Sequence, residues 1–343
     1  HPRLGSAGGP TGSGVGVGGV GVGGAELTLN SNRRPGDANH SRSTQSGPTG
    51  GLVVGARQDG RLQLWSGDGL WSGDGLWSGD GRWSGDGLSP GDMTVDVGQP
   101  IHGVAVTRSG IAALLDDGRV IFPDLRATAV TPPSVPPFET DGNVTVAGPA
   151  LWHEGGRLLA ASPDGGRLVA GGGRGGVSVW RSAPGSGWWE TIPQARVGDS
   201  VTAVAVADDG LVVTGHISGS VRILRAGAEP IRVHPGEEPV WAVVLHGGYA
   251  YSGDAAGQIR RWDVGSGGQR IIATSPSPVT GIALSGDVLV TCGDDGVRTW
   301  TTDGRPLAYA RTEPLRTIAA DPGTSALVSI SAALGLTRWE IVA

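Results

Sequence analysis

Residues 240–263 read VWAVVLHGGYAYSGDAAGQIRRWD. The run VWAVVL alternates along its length, a Gly-Gly turn follows, YAYSGD alternates again, and after AAG the run QIRRWD carries a large ring near its end. Period-2 alternation broken by short Gly/Asp turns specifies antiparallel strands joined by hairpins. The pattern recurs as VTAVAVADDGLVVTGHISGSVRIL at 201–224 and VTGIALSGDVLVTCGDDGVRTW at 279–300.

The third strands of these units end on Trp65, Phe122, Trp180, Leu224, Trp262, Trp300 and Trp339, and the last four are spaced by 38, 38 and 39 residues. A period near 40 with four short strands per unit marks a propeller blade. The expected fold is therefore all-β: a seven-bladed β-propeller of four-stranded antiparallel blades. First strands align as IHGVAV at 101, VTAVAV at 201, VWAVVL at 240, VTGIAL at 279 and LRTIAA at 315. Their third position is small (Gly103, Ala203, Ala242, Gly281, Thr317), which lets neighbouring blades crowd the axis. Pro100, Pro239, Pro278 and Pro314 precede four of them, where a missing N–H breaks no ladder bond. Gly60, Gly175, Gly219 and Gly257 stand five residues before third-strand ends and fit the positive φ of a tight hairpin.

On SGDAAGQIRRWDVGSGGQRI, with Trp262–Asp263 in the signature position, and on LLAASPDGGRLVAGGGRGGVSVW at 158–180, the chain resembles the WD-repeat β-propeller family, in a divergent, high-GC bacterial form. The resemblance covers roughly residues 51–343 in seven units. Arg181, Thr301 and Glu340 stand where the family has Asp after Trp, and its Gly-His before the first strand is missing. The expectation that follows is of blades held by apolar packing alone.

Composition narrows the function classes. The net charge of −6 argues against a nucleic-acid binder. All 26 basic residues are Arg, a bias that fits a GC-rich coding sequence better than a phosphate-binding task. No apolar run is long enough to span a membrane. The one cysteine, Cys292, forms no internal disulfide and reads as a structural thiol, its thiolate disfavoured by Asp294 and Asp295. The chain begins with His and shows no signal-peptide pattern, so a cytoplasmic location is expected, in a processed protein or a piece of a longer one.

Residues 1–50 are Gly/Ser/Pro-rich and read as a linker, except AELTLN at 25–30, which alternates and is the candidate strand to close the ring. The propeller is expected over 51–343. Two stretches break the period. Residues 66–87 hold tandem copies of WSGDGL, and removing three copies restores the blade spacing. Three readings stand for Trp71, Trp77, Trp83 and their aspartates: a loop expanded by duplication, a partner or carbohydrate contact, or a metal site, although one carboxylate per turn makes a poor hard-cation cage. Residues 127–145 contain TPPSVPPFETDG, a linker or a docking peptide of extended geometry.

Position two of the first strands varies while its neighbours do not: His102, Thr202, Trp241, Thr280, Arg316. The resemblance implies that this end faces the rim of the central channel, where partners dock. Turns between second and third strands add Arg174, His216, Asp254, Asp294 and Asp295 to the rim. For Trp241, an interface anchor and a space-filler between blades both stand. For the turn residues, partner contact and plain turn chemistry both stand. Trp188–Trp189 should place one ring inside and one outside.

Enzyme motifs are weak. WHEGG at 152–156 lacks the second His of a zinc helix, and there is no nucleophile elbow or P-loop. The sequence thus points to a monomeric protein-interaction scaffold or sensor module with no catalytic residue, cofactor or metal. The alternatives are a propeller hydrolase of glycosidase or lactonase type and a carbohydrate-binding module.

Overall fold

The computed structural model describes residues 26–30, 41–46, 52–57, 60–66, 76–77, 83–84, 93–123, 151–153, 155–172, 176–182, 189–192, 198–225, 230–233, 236–320, 326–331 and 335–342. Among the described residues there are seven four-stranded antiparallel sheets, one two-residue ladder and no helix. Numbered I to VII in chain order, the sheets have as first strands Ser41–Ser46, Ile101–Thr107, Gly156–Ala161, Val201–Val206, Val240–His246, Val279–Ser285 and Leu315–Ala320. Each first strand touches the next, I through VII and back to I, so the seven surround one axis. The architecture is a β-propeller.

In sheets I to VI the four strands follow chain order. Sheet VII takes three strands from the C-terminal end and its fourth, Glu26–Asn30, from the N-terminal end. Leu27 lies opposite Ile341 and Leu29 opposite Trp339. Pairing of this kind leaves no sheet open at the join. Sheet I begins at Ser41, ten residues before 51, inside the stretch read as linker.

Sheet-to-sheet packing works by complementary size. The residue paired with position three of a first strand abuts the leading residue of the next sheet. A Cβ on Gly215 would lie 2.5 Å from Val240 Cγ1, one on Gly171 would lie 3.0 Å from Val201 Cγ1, and one on Gly253 would run into Val279. Glycine makes room there for a β-branched knob. Between sheets II and III the sizes are exchanged: Leu114, fully buried, is the knob, and a Cβ on Gly156 would lie 3.1 Å from both its methyl groups. Close packing of this density leaves little tolerance for added volume.

Trp180, Leu224, Trp262 and Trp300 are buried at or near their third-strand ends. Phe122 follows Arg119–Ile121 and stacks on buried Trp189 at 5.6 Å between ring centroids. Trp65 lies in Arg61–Ser66 and Trp339 in Gly335–Val342; Trp188 lies outside the described residues. The expectation of apolar packing alone is corrected. Trp262 Nε1 donates to Ser252 Oγ at 2.8 Å, and Trp300 Nε1 donates to Thr291 Oγ1 at 3.0 Å. His153, in the link between sheets II and III, has Nδ1 2.8 Å from Ser178 Oγ of sheet III. A buried indole N–H needs such a partner, and a small hydroxyl on the adjoining strand meets it. Asp263 instead accepts from Gly265 N at 3.0 Å and Ser266 N at 2.8 Å, and so shapes the turn into the fourth strand.

The hexad run lies between the third and fourth strands of sheet I, Arg61–Ser66 and Met93–Asp96. Within it Leu76–Trp77 pairs with Trp83–Ser84, placing Trp77 opposite Trp83. Residues 127–145 lie outside the described residues.

Candidate functional site at the channel mouth

Antiparallel order puts the turns between second and third strands, and the links into each first strand, on one face. Every first strand therefore starts at that face, beside the axis. In all seven, register slips at the second residue: between Ser41 and Ser43, Ile101 and Gly103, Gly156 and Leu158, Val201 and Ala203, Val240 and Ala242, Val279 and Gly281, and Leu315 and Thr317. A bulge leaves one residue out of the ladder and re-aims it. The variable position two is thus a ring of seven bulge residues around the mouth. Two of them, Arg42 and Arg157, escape an alignment by apolar pattern because Ser41 and Gly156 lead their strands.

The side chains divide by task. Thr202 Oγ1 donates to Val240 O at 2.6 Å, and Thr280 Oγ1 donates to Leu315 O at 2.7 Å; each carbonyl belongs to the leading residue of the next sheet. These threonines clasp neighbouring sheets. His102 is buried, and its Nε2 lies 2.6 Å from Asp116 Oδ1. The hydrogen bond and charge of His102 hold the Asp116 carboxyl below its ordinary value. Arg157 and Arg316 are exposed, and Trp241 is 41% exposed.

The link leading to Trp241 adjoins a turn that carries a second exposed apolar side chain. Ile217, 51% exposed, heads the turn between second and third strands of sheet IV. That turn closes on Gly219 at φ 78°, where a Cβ would lie 2.5 Å from Gly236 O and 2.8 Å from Glu238 O in the link leading to Trp241. Three large hydrophobic side chains are exposed among the described residues, and two of them share this seam.

Several rim candidates are reassigned. His216 is fully buried, with Nε2 2.8 Å from Thr214 Oγ1 and Nδ1 3.8 Å from Asp199 Oδ2. Asp254 is 5% exposed and accepts from Ala256 N at 3.0 Å and Gln258 N at 2.8 Å, closing the turn that contains Gly257. Burial pushes its carboxyl above the ordinary range despite those bonds. Both residues build turns, and so are poorly placed to meet a partner. Thr202 and Thr280 are occupied as clasps. Arg174 lies outside the described residues. In sheet VI, burial pushes the Asp295 carboxyl up, but hydrogen bonds from Ser277 Oγ at 2.7 Å and from Arg298, with the guanidinium charge, bring it below the ordinary value.

Cys292 is buried beside Thr280, and burial pushes its thiol up to about 12. The cause is desolvation rather than the nearby aspartates. Among the described residues no three His, Cys, Asp or Glu side chains are grouped to hold a metal, and no helix is long and apolar enough to cross a membrane.

No family model and no curated protein matches this sequence. Among solved structures the chain is similar to the β-propeller domain of Cps50 (Swd1) from Myceliophteria thermophila, with a TM-score of 0.63 and 12% identity over 91% of this chain and 99% of that one. At that identity the likeness is one of fold, and it agrees with the ring of sheets: the chain is a β-propeller.

Proposed function

We propose that this chain is a seven-bladed, WD-repeat-like propeller acting as a protein-interaction scaffold or sensor module, with its partner seated on the channel mouth. One observation carries the reading. Trp241 stands on a bulge of an inner strand, half out of the protein, and exposed Ile217 heads the turn that adjoins the link before it. A tryptophan left in water costs solvation free energy, and aromatic anchors of this kind dominate interface energetics. The similarity to a propeller domain supports the scaffold and is silent on the partner. At the bulge positions themselves the displayed groups are guanidinium and indole, which is interface chemistry.

The test is independent of the source organism. A random peptide library is panned against the immobilised protein, and selected peptides are titrated against variants. Trp241→Ala and Arg316→Ala should each weaken binding at least about tenfold, a loss of about 1.4 kcal/mol. Ile271→Ala, at an exposed apolar residue on an outer strand, should not. Selected peptides indifferent to both mouth substitutions would remove the rim assignment.

A further inference from the structure

The seven bulge residues are not randomly ordered around the axis. Arg316, Arg42, His102 and Arg157 follow one another on sheets VII, I, II and III. Thr202, Trp241 and Thr280 fill the remaining arc, on sheets IV, V and VI. No carboxylate holds any of the seven positions, although the chain carries a net charge of −6. Arg157 and Arg316 are exposed, and the charge of Arg157 also acts on Asp116. Of the carboxylates near this arc, Asp116 is engaged by His102 and Asp117 by Arg119. The exposed Glu237, Glu238, Asp294 and Glu313 belong to the links and turns of sheets V, VI and VII. Arginine therefore holds three of the four bulge positions from sheet VII through sheet III, and the exposed apolar side chains lie at sheets IV and V.

We propose that the mouth binds an acidic segment of a protein partner, laid across the axis with carboxylates on Arg157 and Arg316 and an apolar residue against Trp241. The proposal rests on the rim reading above and adds the chemistry of the partner. An isolated exposed guanidinium contributes little to binding. Several converging on one opening act together, because low-dielectric walls focus their field, and each guanidinium can grip a carboxylate with two parallel hydrogen bonds. An acidic peptide fits better than a nucleic acid. A phosphodiester chain carries charge at every step and would meet Glu237, Glu238 and Asp294 on the far side, whereas a peptide can put its apolar residue there.

The test uses three labelled probes: a twelve-residue peptide with four Glu or Asp in its first half and one Leu among Ser and Gly in its second, the same peptide with Lys for each acid, and a twelve-nucleotide oligo-dT. The acidic peptide should bind at 50 mM salt and weaken at 300 mM. In Arg157→Glu/Arg316→Glu its affinity should fall at least tenfold. In Arg225→Glu/Arg305→Glu, which makes the same charge change at the opposite face, it should stay within twofold. Arg157→Gln/Arg316→Gln should show an intermediate loss, and it guards against a folding defect in the charge-reversed protein. Equal losses in the two charge-reversed proteins would reduce the effect to bulk charge and overturn the proposal. So would no binding of the acidic peptide, or tighter binding of the Lys peptide or the oligonucleotide. The Trp241 titration with panned peptides judges the rim reading separately, so either can fail alone.

Discussion

Asp295 shows how single residues lock the mouth face. Its carboxylate accepts from Ser277 in the link before sheet VI and from Arg298 in the third strand, and its folded pKa lies below the ordinary 3.8. A lowered folded pKa contributes stability above the unfolded value and loses it as pH falls through the folded one. Asp295→Asn should therefore be less stable than the parent at pH 7. The gap in urea midpoint should shrink between pH 5 and pH 3 as the parent loses its advantage. A gap that stays constant or widens on acidification would contradict the assignment. The sequence shows an Asp-Gly turn at 294–296 but not this clasp, because Ser277 is 18 residues away and the link between them is made by folding.

Strand-level pattern was the most legible feature, and it failed at two first strands. Five first strands stand out by their alternating aliphatic residues; that of sheet III does not, because Gly156 takes the small half of a size-matched pair, and that of sheet I, SRSTQS, carries no aliphatic residue. The partner of Gly156, Leu114, lies in another sheet, so no local pattern announces it. With those strands went Arg42 and Arg157, which is why the bulge ring is visible only in the structure. Size matching predicts coupling. Leu114→Ala should cost about 3 kcal/mol through a cavity, and Gly156→Val about 2 kcal/mol through overpacking. The double variant should fall short of the sum by about 1 kcal/mol or more, because valine refills space that leucine vacates. Strict additivity in a denaturation cycle would show that the two positions do not share a packing site.

At the scale of the whole molecule, closure turns separate strands into a site. Residues 42, 102, 157, 202, 241, 280 and 316 are dispersed along the chain, yet each leads onto the same axis once Glu26–Asn30 joins Gly335–Val342. The conspicuous hexads, by contrast, join the end of a third strand to the start of a fourth, ends that antiparallel order puts on the face away from the mouth. The period near 40 made the ring legible; the charge order around it was not, since it depends on which strands become neighbours. Amide hydrogen exchange of the protein with and without a panned peptide tests the mouth assignment most directly. Exchange should slow at the first-strand starts, residues 101–103, 201–203, 240–242, 279–281 and 315–317, and in the turn at 216–219. It should stay unchanged in the opposite-face turns at 107–110, 246–249 and 285–288. Slowing in those turns, with the first-strand starts unaffected, would contradict a partner site at the channel mouth.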